Sequence, residues 1–262
     1  MIGELEMDMR TKRIKMILPM PLPKEALDHF AEQIPSGLRR SDVVIDFVGC
    51  RAGATWLDRE YEATLADAFV LDAGAWAEEE GYDVVCSFST SVSGVAALRS
   101  RLKIPVVGAA MSAFSLAMQL GRRFSFLTMY EPWRRDLVEV VRKCRVSASL
   151  ASVRSINVRP DTHELLSGQE EVVFGALERA ALAAIHEDGA NVIVIGSTTM
   201  YKSHAYLASV FPCPVINPGS AAYKVGENLL DLNLAHSKIA YPSPEVVCDG
   251  LFDQITPIYR NC

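Results

Sequence analysis

Two short stretches place hydroxyl groups where a chain could do chemistry. "SFSTSVSG" sets Ser89, Thr90 and Ser91 directly after an apolar run, and "VIGSTTM" sets Ser197, Thr198 and Thr199 after another, 108 residues later. In open parallel sheets, ligands bind beyond the carboxyl ends of the strands, where loops and helix N-termini present unpaired N–H groups. Hydroxyls clustered there with consecutive backbone N–H groups suit a carboxylate, or the enolate-like oxyanion that forms when a proton or CO2 leaves carbon. They do not supply a base, because a serine hydroxyl is a poor one unless a neighbour activates it. Lys202 and His204 are the ionisable residues nearest the second turn, and the alternative for both is a solvated helix face. The competing reading of the turns themselves is that Ser and Thr merely cap the helices that follow.

The elements that must position these turns are legible as alternating strands and helices. "RIKMILPM" (13–20), "DVVIDFVG" (42–49), "YDVVCSF" (82–88) and "IPVVGA" (104–109) are apolar almost throughout, as are "RFSFLTM" (123–129), "VRSINV" (153–158), "NVIVIG" (191–196) and "CPVINP" (213–218). Continuous apolar runs read as parallel strands covered on both faces. Residues 58–81 and 169–189 carry apolar residues at three- and four-residue steps and end on Gly81 and Gly189, which predicts a helix over each range. Landmarks recur at nearly constant offset: Arg13, Leu18 and Met20 as Arg123, Leu127 and Met129, then Gly81 as Gly189, and Pro105-Val106 as Pro214-Val215. A period of that length is too long for a solenoid. The expectation is an α/β fold of two pseudo-symmetric lobes, each a mostly four-stranded parallel sheet flanked by helices, with a cleft between them. Residues 1–112 with 216–262 form lobe one and residues 113–215 lobe two. The tail after "GSAAYKVGENLLDL" reads as a Pro-broken surface segment packing back on lobe one.

The chain has 262 residues, half of them hydrophobic, so it can bury a sizeable core. A net charge of -6 with no Lys/Arg block longer than a pair argues against nucleic-acid or anionic-membrane partners and for a small molecule. The N-terminal apolar run "MILPMPL" is too short and too Pro-broken for a signal peptide or a membrane span, so a cytoplasmic location is expected. Six scattered cysteines without Cys-x-x-Cys and five histidines without His-x-x-x-His advertise no metal site. No dinucleotide or phosphate loop occurs, so an enzyme here would work without a cofactor.

"IPVVGAAMSAFSLAMQLGRRFSFLTMYEPW", "GANVIVIGSTTM" and "CPVINPGSAAYKVGENLL" resemble the aspartate/glutamate/hydantoin racemase superfamily, its hydantoin-racemase branch above all, and "LDREYEATLAD" matches a Tyr-containing helix start of that branch. The resemblance implies two pseudo-symmetric lobes, homo-oligomeric assembly, and a cysteine in each turn, the two thiols working as acid and base on opposite faces of the substrate. Thiols suit that role because a helpful environment lets them ionise near neutrality. The matching positions here are Ser89 and Ser197, the catalytic candidates. Cys86 lies three residues early, inside the strand, where its side chain should meet a sheet face.

Maleate isomerases and arylmalonate decarboxylases, neighbouring branches, hold a substrate carboxylate with a Thr-Ser pair and a Thr-x-Tyr, which here read Thr90-Ser91 and Thr128-Met129-Tyr130. Thr90, Ser91 and Tyr130 are therefore candidate substrate-binding residues, joined by Thr198 and Thr199 of the second turn and by Pro19 and Met20, which end the first strand and should border the cleft. "LPMPLP" is more apolar than the polar residues the family often has there, which suggests a partly apolar substrate. Glu131, Tyr61 and Trp133 are further candidates to line the site, although packing or surface is the commoner role for each. Three functions follow: an isomerase or racemase of a small carboxylate or cyclic amide, a decarboxylase, lyase or ring hydrolase on the same scaffold, or an inert ligand-binding relative. A variant in which serine was put in place of both thiols to trap a ligand would read the same way.

Overall fold

The computed structural model describes residues 10–53, 57–159 and 171–255. The apolar runs form two sheets. β1 (Lys12–Leu18), β2 (Val43–Gly49), β3 (Val84–Ser87) and β4 (Val106–Gly108) lie in the order β2-β1-β3-β4. β5 (Phe124–Thr128), β6 (Leu150–Ser155), β7 (Val192–Ile195) and β8 (Val215–Ile216) repeat it as β6-β5-β7-β8. Every pairing is parallel, and β3, β5 and β7 are buried along their whole length, as their unbroken apolar runs require.

The internal repeat has a local physical cause at each strand entry. Gly81 and Gly189 adopt φ of +79° and +73°, a left-handed conformation that a residue with a Cβ pays to enter. Each then hands the chain to the sheet by the same bond: Asp83 N–H donates to the Arg13 carbonyl (2.8 Å) and Asn191 N–H to the Arg123 carbonyl (2.9 Å). β3 and β7 thereby enter their sheets at matched heights, and their carboxyl ends come out matched as well.

Between the strands run α1 (Lys24–Ala31), α2 (Glu60–Gly74), α3 (Val95–Arg101), α4 (Ala109–Leu120), α5 (Glu131–Lys143), α6 (Phe174–His186), α7 (Tyr201–Val210) and α8 (Pro218–Asp231). α2 is shorter than the 58–81 expected, giving way to turns that close on Gly81. Its buried stripe is Ala66, Val70 and Gly74, continued by Ala77, while Tyr61 and Trp76 are exposed. Small residues are used here because the approach is close: a Cβ on Gly74 would stand 2.7 Å from a Leu98 methyl of α3 and 3.0 Å from an Ile17 methyl of β1. Residues 169 and 170 of the 169–189 pattern lie outside the described residues; the rest holds a 3-10 turn (Glu171–Val173) and α6, whose buried face is Leu177, Ala181 and Ala184.

Two helices cross between the halves. Ala110, Ala113, Phe114 and Ala117 of α4 pack with Phe124, Phe126, Val192 and Val194 of the second sheet, and Ala222 and Tyr223 of α8 pack with Ile14, Met16 and Val84 of the first. α4 and α8 also pack on one another. The segment after α8 is tied to α3: His236 Nε2 lies 2.9 Å from the Leu102 carbonyl, and Lys238 donates to the Arg99 and Ser100 carbonyls. It supplies the carbonyl partners that the C-terminus of a helix lacks.

Phe114 sits 5.3 and 5.4 Å, centroid to centroid, from Phe124 and Phe126. Phe114→Ala should therefore lower unfolding stability by about 3–5 kcal/mol in chemical denaturation, the range for a buried ring left as a cavity.

Candidate active site

Ser89 and Ser197 stand two residues beyond the ends of β3 and β7. Neither turn caps the helix that follows: the N-caps of α3 and α7 are Gly94 and Met200, and no side chain caps either helix. The hydroxyls close the turns themselves. Ser89 Oγ accepts the Ser91 N–H (3.2 Å) and pairs with Ser91 Oγ (2.8 Å), while Ser197 Oγ accepts the Thr199 N–H (3.2 Å) and pairs with Thr199 Oγ1 (2.8 Å). The first turn runs on from Ser91 Oγ to Ser93 Oγ (2.7 Å) and includes Val92 at φ +54°, a strained conformation for a β-branched residue.

The middle residue of each turn holds the other turn. Thr90 Oγ1 donates to the Gly196 carbonyl (2.8 Å) and Thr198 Oγ1 to the Phe88 carbonyl (3.2 Å), both bonds buried. Each carbonyl belongs to the residue immediately before the opposite serine. Gly196 is required here, since a Cβ would lie 2.8 Å from the Leu127 carbonyl oxygen and 2.9 Å from Thr128 Cβ. Among the described residues, the backbone N–H groups of Ser89, Thr90, Ser197 and Thr198 meet no acceptor.

Both serines and the residues after them line one cavity of about 110 Å³. Its walls are apolar: Leu18, Pro19 and Met20 from the end of β1, Phe30 from α1, Leu57, Phe88, and Trp133, Leu137 and Val140 from α5. The Pro19-Met20 loop is held from behind by Cys50, whose N–H reaches the Leu18 and Met20 carbonyls and whose thiol donates to Leu18 O (3.1 Å). α5 adds a residue that the sequence reading passed over. Trp133, Asp136, Leu137 and Val140 follow helical spacing, so one face of α5 puts Asp136 into the cavity beside three apolar neighbours. Burial, chiefly, lifts its carboxyl above the ordinary value, with Asp58 and Glu60 pushing the same way and Arg135 and Arg59 opposing. No Lys, Arg or His is among the described lining residues.

The other candidates lie elsewhere. Tyr130 is the N-cap of α5 and packs edge-on against Trp133 with centroids 5.8 Å apart; of the two, it is Trp133 that lines the cavity, beside Phe30 and Phe88. Thr128 is buried beneath Gly196, its hydroxyl without a partner among the described residues. Lys202 points toward Glu171 (3.9 Å), and His204 is half-buried with Nε2 3.2 Å from the Val215 carbonyl, its pKa lowered by desolvation. His204 is thus neither in the cavity nor on a solvated face. Cys86 is enclosed in the first sheet's core, where burial raises its thiol far above the ordinary value, and burial likewise pushes Cys50 up to about 12. Among the described residues no group of His, Cys, Asp or Glu gathers to hold a metal ion, and no helix is long and apolar enough to cross a membrane.

Two outcomes follow from this geometry. Thr90→Val and Thr198→Val each leave a buried carbonyl unanswered and should each lower stability by about 1–3 kcal/mol in urea melts. Native protein treated with iodoacetamide near neutral pH should be alkylated at the exposed Cys248 and spared at Cys50 and Cys86, as read by peptide mass mapping.

Comparison with known proteins places this architecture. The family signature described as Asp/Glu/Hydantoin racemase matches residues 25–225. A hydantoin racemase of Paenarthrobacter aurescens is 26% identical over 237 residues, covering 88% of this chain and 98% of that one. A hydantoin racemase of Rhizobium meliloti is 33% identical over 175 residues, covering 63% and 68% of the two chains. Among solved structures, allantoin racemase from Pseudomonas fluorescens superposes with a TM-score of 0.81 at 26% identity, over 90% of this chain and 98% of that one. With two repeated parallel sheets, facing serine turns and a matched signature across most of its length, the chain belongs to the Asp/Glu/Hydantoin racemase family of enzymes.

Proposed function

We propose that the cavity between the two serine turns binds a small, partly apolar carboxylate or cyclic amide and isomerises it at a carbon next to a carbonyl, without a cofactor. One observation carries the reading. Two turns related by the internal repeat are locked face to face by Thr90 and Thr198, so that Ser89 and Ser197 open into one cavity. Relatives named for hydantoin and allantoin, both cyclic amides, support that substrate class over an open-chain acid.

The groups divide the work by their chemistry. Losing a proton from carbon leaves an enolate, whose oxygen needs donors fixed in place before the charge develops. The unengaged N–H groups of Ser89, Thr90, Ser197 and Thr198 are such donors. The Ser89 and Ser197 hydroxyls, each already bonded to a second hydroxyl, orient the ligand and relay protons, whereas the thiols that the family resemblance implies at these positions would ionise on their own. The apolar walls keep water from the reacting carbon.

Decarboxylation or ring hydrolysis is the second reading, favoured by the want of an ionisable group in either turn. Incubation with an enantiopure 5-substituted hydantoin in D2O separates the two. Isomerisation predicts loss of optical rotation with one deuterium gained and the ring intact by mass spectrometry and NMR. Loss of CO2 from an arylmalonate, or gain of water by the ring, would instead establish the second. Replacing both hydroxyls, as Ser89→Cys with Ser197→Cys, should raise the deuterium exchange rate by at least about tenfold if thiol ionisation is what limits it.

A further inference from the structure

We propose that Asp136 is a specificity residue whose carboxylate accepts an N–H from the bound ligand, committing the cavity to rings that carry an amide N–H. This rests on the reading of that cavity as the substrate site.

Asp136 is the one ionisable side chain among the described residues that line the cavity. It is half-buried, and no described residue donates a hydrogen bond or forms an ion pair to it. A carboxylate is an acceptor only, so what it lacks is a donor, and a ligand in the cavity can bring one. The turns present the complement: free backbone N–H groups, which need acceptors.

A ligand satisfying both has a carbonyl and an N–H side by side, which is the pattern of a cyclic amide or ureide. A dicarboxylate fits poorly. It could use the N–H groups with one end, but its second charge would share an apolar cavity with Asp136 and no lining cation. The register of α5 sets the placement: Trp133, Leu137 and Val140 lie on the same face of the helix and line the cavity together with Asp136.

The test is isothermal titration calorimetry on the full chain, as wild type, Asp136→Asn and Asp136→Ala, with 5-benzylhydantoin, its 1,3-dimethyl derivative and phenylmalonate. Wild type should bind the hydantoin more tightly than phenylmalonate. Methylating the ring nitrogens and Asp136→Ala should each weaken binding by about tenfold to a hundredfold, as for a hydrogen bond to a charged group. In Asp136→Ala the methylated and unmethylated rings should bind alike, since the partner of the lost N–H is gone. Asp136→Asn, nearly isosteric, should gain affinity for phenylmalonate by removing the repulsion, and guards against a folding defect in the alanine variant. Hydantoin binding unchanged in Asp136→Ala, or a wild type that prefers phenylmalonate, would overturn the assignment of Asp136. A wild type that binds neither ring nor diacid would overturn the site itself, and the assignment with it.

Discussion

The reciprocal pair of hydrogen bonds from Thr90 to the Gly196 carbonyl and from Thr198 to the Phe88 carbonyl is the contact on which the site depends. A strand that ends at the middle of a molecule leaves its next carbonyl pointing at no neighbour, and burying that carbonyl alone is costly. Here each lobe answers the other's orphan. Since the two bonds are made by equivalent residues, the lobes can meet only in the arrangement that brings the two turns together. Ser89 and Ser197 face one cavity as a consequence, not by a separate device.

The crossing helices α4 and α8 serve the same constraint at larger scale. Each follows the fourth strand of one sheet and buries its apolar face in the core of the other, Phe114 against Phe124 and Phe126, and Tyr223 with Ile14 and Met16. Moving one sheet against the other would expose both faces at once. The turns are therefore held by local bonds between rigid bodies whose relative position is set by core packing, which is the condition for preorganised donors to act on a developing charge.

The symmetry stops at the walls. The turns repeat, but lobe one contributes an apolar loop held by Cys50 and the edge of Phe30, whereas α5 contributes a face with Asp136 at its centre. Two matched turns and one carboxylate from a single lobe make the cavity asymmetric, so its two ends present different groups.

Much of this was legible in the residues. Unbroken apolar runs such as "VVCSF" and "VIVIG" signal parallel strands because both faces of such a strand are covered, and the echo of Gly81 with Gly189 signals two lobes because each strand entry needs the same left-handed turn. The two Ser-Thr turns were found for the same reason, as hydroxyls following strand ends. What the hydroxyls do there was not legible: Ser89 and Ser197 close their own turns and Thr90 and Thr198 reach across to the other lobe, and no local pattern distinguishes such a bond from a helix cap. Tyr130 carried the motif while its neighbour Trp133 lines the cavity, and Asp136 read as one more charge on a helix with polar sides, because the face that α5 turns inward depends on where the other lobe lies. Strand order, repeat and turn chemistry are written locally, in periodicity and in the few residues that tolerate a given backbone angle. Which hydroxyl is structural, which is free, and which carboxylate is left without a partner are decided only when two distant halves of the chain pack, for burial and hydrogen-bond satisfaction belong to the assembled fold.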